Sequence, residues 1–84
     1  MAVILQMIFM HPYQSSNHDT GVIAYQNGAD HIAVQFKDGT VYLYTNKSAG
    51  QDSIIQMKKL AKAGAGLTTY INQHVKDRYG AKIK

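Results

Sequence analysis

Tyr42 and Tyr44 lie two positions apart in an alternating apolar segment. Because the side chains of a β-strand point alternately to its two faces, both rings are expected on the same face of a sheet. Aromatic rings on a sheet surface can stack on single-stranded bases while a nearby cation such as Lys37 contacts phosphate. The alternative is structural, since tyrosine is also favoured in strands and could pack beneath the N-terminal segment or a partner subunit.

A predicted β-hairpin over residues 32–44 positions these rings. Asp38 and Gly39 are typical of a two-residue type I′ turn, which would place Phe36 opposite Val41. The hairpin then has an apolar face toward the core and a free, polar face that bears the two rings. The predicted apolar face carries Ile32, Val34, Phe36, Val41 and Leu43, and the polar face carries His31, Gln35, Lys37, Tyr42 and Tyr44.

The charges of the chain are divided unevenly. Residues 1–52 contain two lysines and four aspartates, a balance of −2, whereas residues 53–84 contain seven cations and one aspartate, a balance of +6. Such asymmetry suits nucleic acid, an acidic protein or an anionic surface, although it can also serve solvation alone. Three of the cations, Lys58, Lys59 and Lys62, share one side of a predicted helix and would neutralise phosphates together with Lys37 if the fold joins the two surfaces.

Two helices are predicted in the C-terminal half. Residues 45–51 are expected to be a linker, after which Asp52 or Ser53 caps the first helix. The second helix is predicted over residues 67–79, with Gly80 as its C-terminal stop. The apolar stripes are Ile54, Met57, Leu60 and Ala61 in the first helix and Leu67, Ile71 and Val75 in the second.

The order of elements predicts an α+β fold. Residues 21–26 form a predicted strand with Ile23 and Tyr25 on the same face as Val34. Residues 15–21 are typical of a polar loop. We therefore expect one domain in which a three- to four-stranded antiparallel meander packs against a C-terminal pair of helices.

The apolar N-terminal stretch, residues 2–10, is shorter than the roughly 20 residues of a membrane span and lacks a basic leader. We therefore expect no membrane anchor or signal peptide, and a cytoplasmic protein. The stretch predicts an extension or an extra strand that ends at His11 and Pro12. As an alternative function, its apolar side chains could pair with a second subunit in a self-assembly module. These side chains are Val3, Leu5, Met7 and Phe9.

Catalytic and metal chemistry find little support in the sequence. There is no cysteine, all five acidic residues are aspartates, and no two of the four histidines lie four positions apart on a predicted helix. Thiolate ligands, cysteine nucleophiles and glutamate bases are therefore excluded. We expect a non-enzymatic protein with no metal and no cofactor. The histidines are His11, His18, His31 and His74.

A third functional hypothesis rests on residues 60–71, which are similar to a helix-turn-helix. Ala61, Ala65 and Ile71 have the spacing at which small and apolar residues let two helices cross. The glycine usual in such a turn would fall at Ala65, one position from Gly64 and from Gly66. This hypothesis would make the chain a DNA-binding protein.

The chain resembles the KTSC domain, a short module named after the C-terminus of some lysyl-tRNA synthetases and also found as small bacterial proteins. The resemblance covers residues 15–79, leaves residues 1–14 as an N-terminal extension, and places the family's central YxY motif at Tyr42-Leu43-Tyr44. Other matching residues are Ser15, Ser16, Ile23, Ala24, Tyr25, Phe36, Gly39, Tyr70, Ile71, Asn72, Val75 and Tyr79.

The resemblance adds one functional expectation, since RNA binding is the usual suggestion for this family. The chain departs from the family where Val-Pro often follows the YxY motif, because Asn46, Lys47 and Ser48 stand there. RNA or single-stranded nucleic acid is accordingly the leading predicted ligand, with six predicted contact residues. These are Tyr42, Tyr44, Lys37, Lys58, Lys59 and Lys62.

Overall fold

In the described part of the chain, a five-stranded antiparallel sheet is covered on one face by helices, so the protein is α+β, as predicted. The computed structural model describes residues 10–13 and 21–83. Neighbouring strands in the sheet are consecutive in the chain, so the sheet is a meander with one strand more than expected. The strands are β1 (His11–Pro12), β2 (Val22–Asn27), β3 (His31–Phe36), β4 (Val41–Thr45) and β5 (Ala81–Lys82).

The turn between β3 and β4 has three residues rather than the predicted two. The Gly39 N–H donates to the Phe36 carbonyl (2.8 Å), and the Phe36 N–H donates to the Thr40 carbonyl (2.8 Å). Gly39 has a φ of 92°, which glycine adopts without steric cost. This arrangement matches the common three-residue hairpin loop, in which a left-handed residue follows a tight turn and forms a bulge.

The extra turn residue reverses the two faces of β4. Tyr44 pairs with Ile32 and Tyr42 pairs with Val34, so both tyrosines join the apolar face of β3. Because side chains alternate with a period of two, a shift of one residue moves every side chain of a strand to the other face. The predicted faces are therefore right for β3 and wrong for β4, where Val41 and Leu43 lie on the opposite side.

Two apolar residues of β2 are predicted on the same face as Val34, and one of them lies there. Tyr25 pairs with Val34 and shares its face, as expected. A bulge between Val22 and Ala24 displaces Ile23, whose side chain is 43% exposed, so its predicted place on that face is wrong. At a bulge, one strand has an extra residue, and this residue interrupts the alternation of side chains between the two faces of the sheet.

His11 and Pro12 form a strand instead of ending one. They pair with Tyr25 and Ala24 of β2 at the edge of the sheet, where proline is tolerated because its missing N–H faces away from the ladder. The predicted N-terminal strand covers residues 3–10, of which Met10 is described and is not in a strand. Residues 3–9 and residues 15–20 of the predicted polar loop lie outside the described residues.

The predicted linker after β4 is a short helix, α1 (Asn46–Ala49), so this expectation is wrong. Thr45 and Ser48 form a reciprocal capping box. The Thr45 Oγ1 accepts from the Ser48 N–H (2.9 Å), and the Ser48 Oγ accepts from the Thr45 N–H (3.0 Å). A longer helix, α2 (Gln51–Ala63), follows at once, with Gly50 rather than Asp52 or Ser53 at its N-cap position.

The last helical region ends earlier than predicted. Helix α3 (Leu67–Tyr70) continues into a π-helical turn (Ile71–Val75), and the chain then leaves the helical conformation. Gly80 is not a helix stop, because its N–H donates to the Leu43 carbonyl (2.6 Å) and begins the return to the sheet. The predicted extension of the helix to residue 79 is therefore wrong.

The helices cover the sheet face that carries Ile32, Val34 and Tyr44. Hydrogen bonds join the N-terminal half to α3: the Tyr13 hydroxyl accepts from the Leu67 N–H (3.1 Å), and the Thr68 Oγ1 accepts from the Val22 N–H (3.1 Å). The predicted helical stripes are buried, with Leu60 partly so. The fully buried members are Ile54, Met57, Ala61, Leu67, Ile71 and Val75.

Two isoleucines allow a matched test of this core. Ile32 is 0% exposed, whereas Ile55 on α2 is 45% exposed. Ile32→Ala should lower the free energy of unfolding by about 2 to 5 kcal/mol, because it leaves a cavity beneath the helices. Ile55→Ala should change it by less than about 0.5 kcal/mol. Urea titrations followed by circular dichroism measure both values, and equal losses would contradict the described burial.

Candidate functional site

A cleft of about 370 Å³ opens between the β3–β4 hairpin and the segment that follows the π-helical turn. Four rings line it, from Phe36, Tyr42, Tyr44 and Tyr79, and we call it the aromatic cleft. Its volume lies within the range of small-molecule sites in proteins. Charged and polar side chains also line the cleft. They are Lys37, Asp38, Thr40, Asn72, Lys76 and Asp77.

The rings of the aromatic cleft form one connected cluster. Tyr42 and Tyr79 are stacked with centroids 4.4 Å apart and planes tilted by 37°. Phe36 meets Tyr42 edge to face at 5.9 Å, and Tyr44 meets Tyr79 edge to face at 6.4 Å. These are favourable geometries for aromatic pairs. Tyr79 is 39% exposed and is the outermost ring, while Tyr44 is 1% exposed and closes the floor.

The C-terminal segment reaches the cleft because it pairs with β4. After the π-helical turn, the Arg78 N–H donates to the Val75 carbonyl (2.8 Å) and the chain reverses. β5 then runs antiparallel to β4, with Lys82 opposite Tyr42, and the Ile83 N–H donates to the Val41 carbonyl (2.8 Å). This return places the Tyr79 ring against the ring of Tyr42.

Tyr44 does not have the exposure that its predicted role requires. The sequence predicts its ring on a free surface, but the reversed register of β4 buries it. Burial raises the pKa of Tyr44 to about 12, with smaller contributions from Tyr42, Tyr79 and the charge of Asp77. Its hydroxyl points toward the Lys76 carbonyl at 3.5 Å. Direct stacking of a base on Tyr44 is therefore excluded in this conformation.

The cleft also carries cations at its margin. Lys37 and Lys76 line it from the hairpin and from the end of the π-helical turn. The pKa of Asp38 is lowered, mainly because its carboxylate accepts from the Thr40 N–H (2.9 Å), and the charge of Lys82 adds to the effect. Lys82 thus lies close enough to the hairpin to contribute positive potential there.

The three predicted helix lysines do not reach this cleft. The Lys58 ammonium donates to the Gly28 carbonyl (2.5 Å) at the β2–β3 turn, which is at the opposite end of β3 from Lys37. Six strand residues separate the two ends, about 20 Å at 3.4 Å per residue. Lys59 and Lys62 follow Lys58 on α2 and do not line the cleft. The expected joint surface of Lys37 and the helix lysines is not formed.

Sequence reasoning missed Lys76 and Tyr79 as site residues. Both fall within the predicted second helix, whose face away from the stripe is expected to be solvated. A signal was present, because Tyr79, Ala81 and Ile83 alternate with polar or small residues, as a short strand does. With a strand predicted over residues 79–83, Tyr79 is expected beside the sheet and not at the end of a helix.

In the described part of the chain, an ion pair lies outside the aromatic cleft. The His31 Nδ1 donates to the Asp30 carboxylate (3.1 Å), which lowers the pKa of Asp30. Residues 10–13 and 21–83 contain no group of three or more histidine, cysteine or acidic side chains arranged to hold a metal ion. Within these same ranges no helix has the length and apolarity needed to cross a membrane.

The helix-turn-helix hypothesis and the assembly hypothesis both stay predictions. Gly64 and Gly66 both adopt positive φ between α2 and α3, and the Gly64 N–H ends α2 by donating to the Leu60 carbonyl (2.9 Å). The apolar residues proposed for subunit pairing lie outside the described part of the chain.

Comparison of the chain with family models, with curated proteins and with solved structures finds no match in any of the three. The resemblance to the KTSC domain therefore stays a prediction that rests on the residues named for it.

The buried phenol of Tyr44 predicts a specific loss of stability in alkali. Tyrosine ionises near pH 10 in an unfolded chain and Tyr44 near pH 12 in the folded one, so its neutral form is favoured by folding. This stability is complete below pH 10 and falls as the pH rises toward 12. In urea titrations, Tyr44→Phe should reduce that fall, while both proteins should respond alike between about pH 7 and 9. Parallel curves up to pH 12 would contradict the assigned burial.

Proposed function

We propose that this chain is a non-enzymatic module that binds RNA or another single-stranded nucleic acid at the aromatic cleft. The observation that carries the proposal is the exposed Tyr79 ring, which is stacked on Tyr42 in a cleft that Lys37 and Lys76 also line. An aromatic platform beside cations is the usual means by which proteins hold unpaired bases.

Tyr79 is the ring that meets the base in this proposal. Tyr42 and Tyr44 both contact this ring, and the part of it that stays exposed is available to a ligand. Stacking of a base on an aromatic side chain contributes about 1 to 3 kcal/mol. Tyr42 and Tyr44 act as support, because they fix the orientation of Tyr79 from beneath.

The lysines divide into two groups with different roles. Lys37 and Lys76 lie at the cleft and contact the phosphates next to the stacked base. Lys58, Lys59 and Lys62 belong to α2 and contribute only to the general positive charge of the chain, which is +4. Lys58 already donates to the Gly28 carbonyl and is the least available of the three.

Removal of the exposed ring tests the stacking. Tyr79→Ala should raise the Kd for a fluorescein-labelled, mixed-sequence RNA dodecamer by about 5- to 150-fold, as expected when one base no longer stacks on a ring. Tyr79→Phe keeps the ring and should bind within about twofold of the unchanged protein. Fluorescence anisotropy measures both, with circular dichroism as a check of folding. Equal affinities for folded Tyr79→Ala and the unchanged protein would refute the proposal.

Salt dependence distinguishes the two groups of lysines. On a single strand, each phosphate that a protein neutralises contributes about 0.7 to the slope of log Kd against log salt concentration. The double variant Lys37→Gln/Lys76→Gln should therefore reduce the slope by about 1.4. The control Lys59→Gln/Lys62→Gln removes the same charge from α2 and should leave the slope nearly unchanged. A larger effect from the control pair would place the phosphate contacts on the helix.

A further inference from the structure

The aromatic cleft contains hydrogen-bonding side chains as well as rings and cations. Asp77 lines the cleft two positions before Tyr79, in the turn that carries this ring to Tyr42. The Asp77 carboxylate therefore shares the aromatic cleft with the exposed ring of Tyr79. A carboxylate in the same cleft can accept from the edge of a base stacked on that ring, and the edge is where the four bases differ.

The Asp77 carboxylate is uncommitted within the described part of the chain. Among residues 10–13 and 21–83 it forms no salt bridge, since the ion pair found there joins Asp30 and His31. Within the same ranges no hydrogen bond occupies its oxygens, whereas the Asp38 carboxylate already accepts from the Thr40 N–H. Asp77 thus retains both oxygens as acceptors for a ligand.

An unpaired carboxylate is selective in a cleft that receives phosphate. Its charge opposes the binding of every nucleotide, and it favours only a base that offers it donors. Guanine presents two adjacent donors, N1–H and the N2 amino group, and can engage both carboxylate oxygens. Adenine and cytosine each present one donor beside an acceptor, and uracil presents one donor between two acceptors.

We propose that the aromatic cleft selects guanine among the bases of single-stranded RNA. The guanine ring stacks on Tyr79, its N1–H and N2 amino group donate to the Asp77 carboxylate, and the flanking phosphates contact Lys76 and Lys37. This inference rests on the proposed function, because it specifies the base held at the same site. It assigns to Asp77 the role of the specificity-determining residue.

Labelled uridine heptamers that differ at the central position test the selection. The centre is guanine, adenine, cytosine, uracil or inosine, and fluorescence anisotropy gives each Kd. The guanine heptamer should bind about tenfold more tightly than the adenine, cytosine and uracil heptamers, as expected for hydrogen bonds to a charged group. Inosine lacks the N2 amino group and should lose part of this advantage.

Two matched variants assign the preference to its residue. Asp77→Asn replaces one acceptor oxygen by a donor and should reduce the guanine preference to about twofold or less. Asp52→Asn removes the same charge from the first turn of α2, outside the cleft, and should keep the tenfold preference. Removal of a negative charge can raise the affinity for every heptamer, and Asp52→Asn measures this general effect.

The outcomes separate the two proposals. If all heptamers bind equally and Tyr79→Ala weakens them all, the nucleic-acid function stands and guanine selection is overturned. A guanine preference that survives Asp77→Asn also overturns the assignment of Asp77. If no heptamer binds to the folded protein, both proposals fall. A preference that disappears in Asp77→Asn and persists in Asp52→Asn supports guanine selection.

Discussion

The three-residue turn between β3 and β4 determines which side chains of β4 face the helices. Hydrogen bonds at Phe36 close a loop of three residues, in which Gly39 has a positive φ. The length of this loop sets the register of β4 against β3. With a two-residue turn, Val41 and Leu43 would face the core and the tyrosines would lie on the open side. The aromatic cleft therefore exists because of a single backbone conformation at the hairpin.

Burial of Tyr44 and the path of the C-terminal segment follow from that register. Once Tyr42 and Tyr44 face the helices, their rings form a surface on which Tyr79 packs, and β5 completes the edge of the sheet beside them. The gain in aromatic contact offsets the cost of ordering a two-residue strand, which would be marginal by itself. The edge strand and the ring cluster thus stabilise each other.

Local periodicity explains what could be predicted from the sequence and what could not. The helical stripes, such as Ile54 and Met57, are predicted correctly because their pattern repeats over several turns. The predicted faces of β4 are wrong because Asp38 and Gly39 suit hairpin loops of two and of three residues, and tyrosine is compatible with either face. β5 depends on pairing between residues some 40 positions apart, which local patterns do not encode.

The lining of the aromatic cleft shows the same division, since Lys37, Tyr42 and Tyr44 are named from the sequence, Tyr44 with the wrong exposure, and Tyr79 is missed. Within this ring cluster the buried and the exposed rings are therefore under different constraints. Tyr44 is fully buried, so any change there alters the core and the cleft together. Tyr79 packs against Tyr42 and Tyr44 but is 39% exposed, so substitutions at this ring change the surface of the cleft more than the core. The side chain at position 79 can therefore vary more freely than Tyr44, which is constrained by packing.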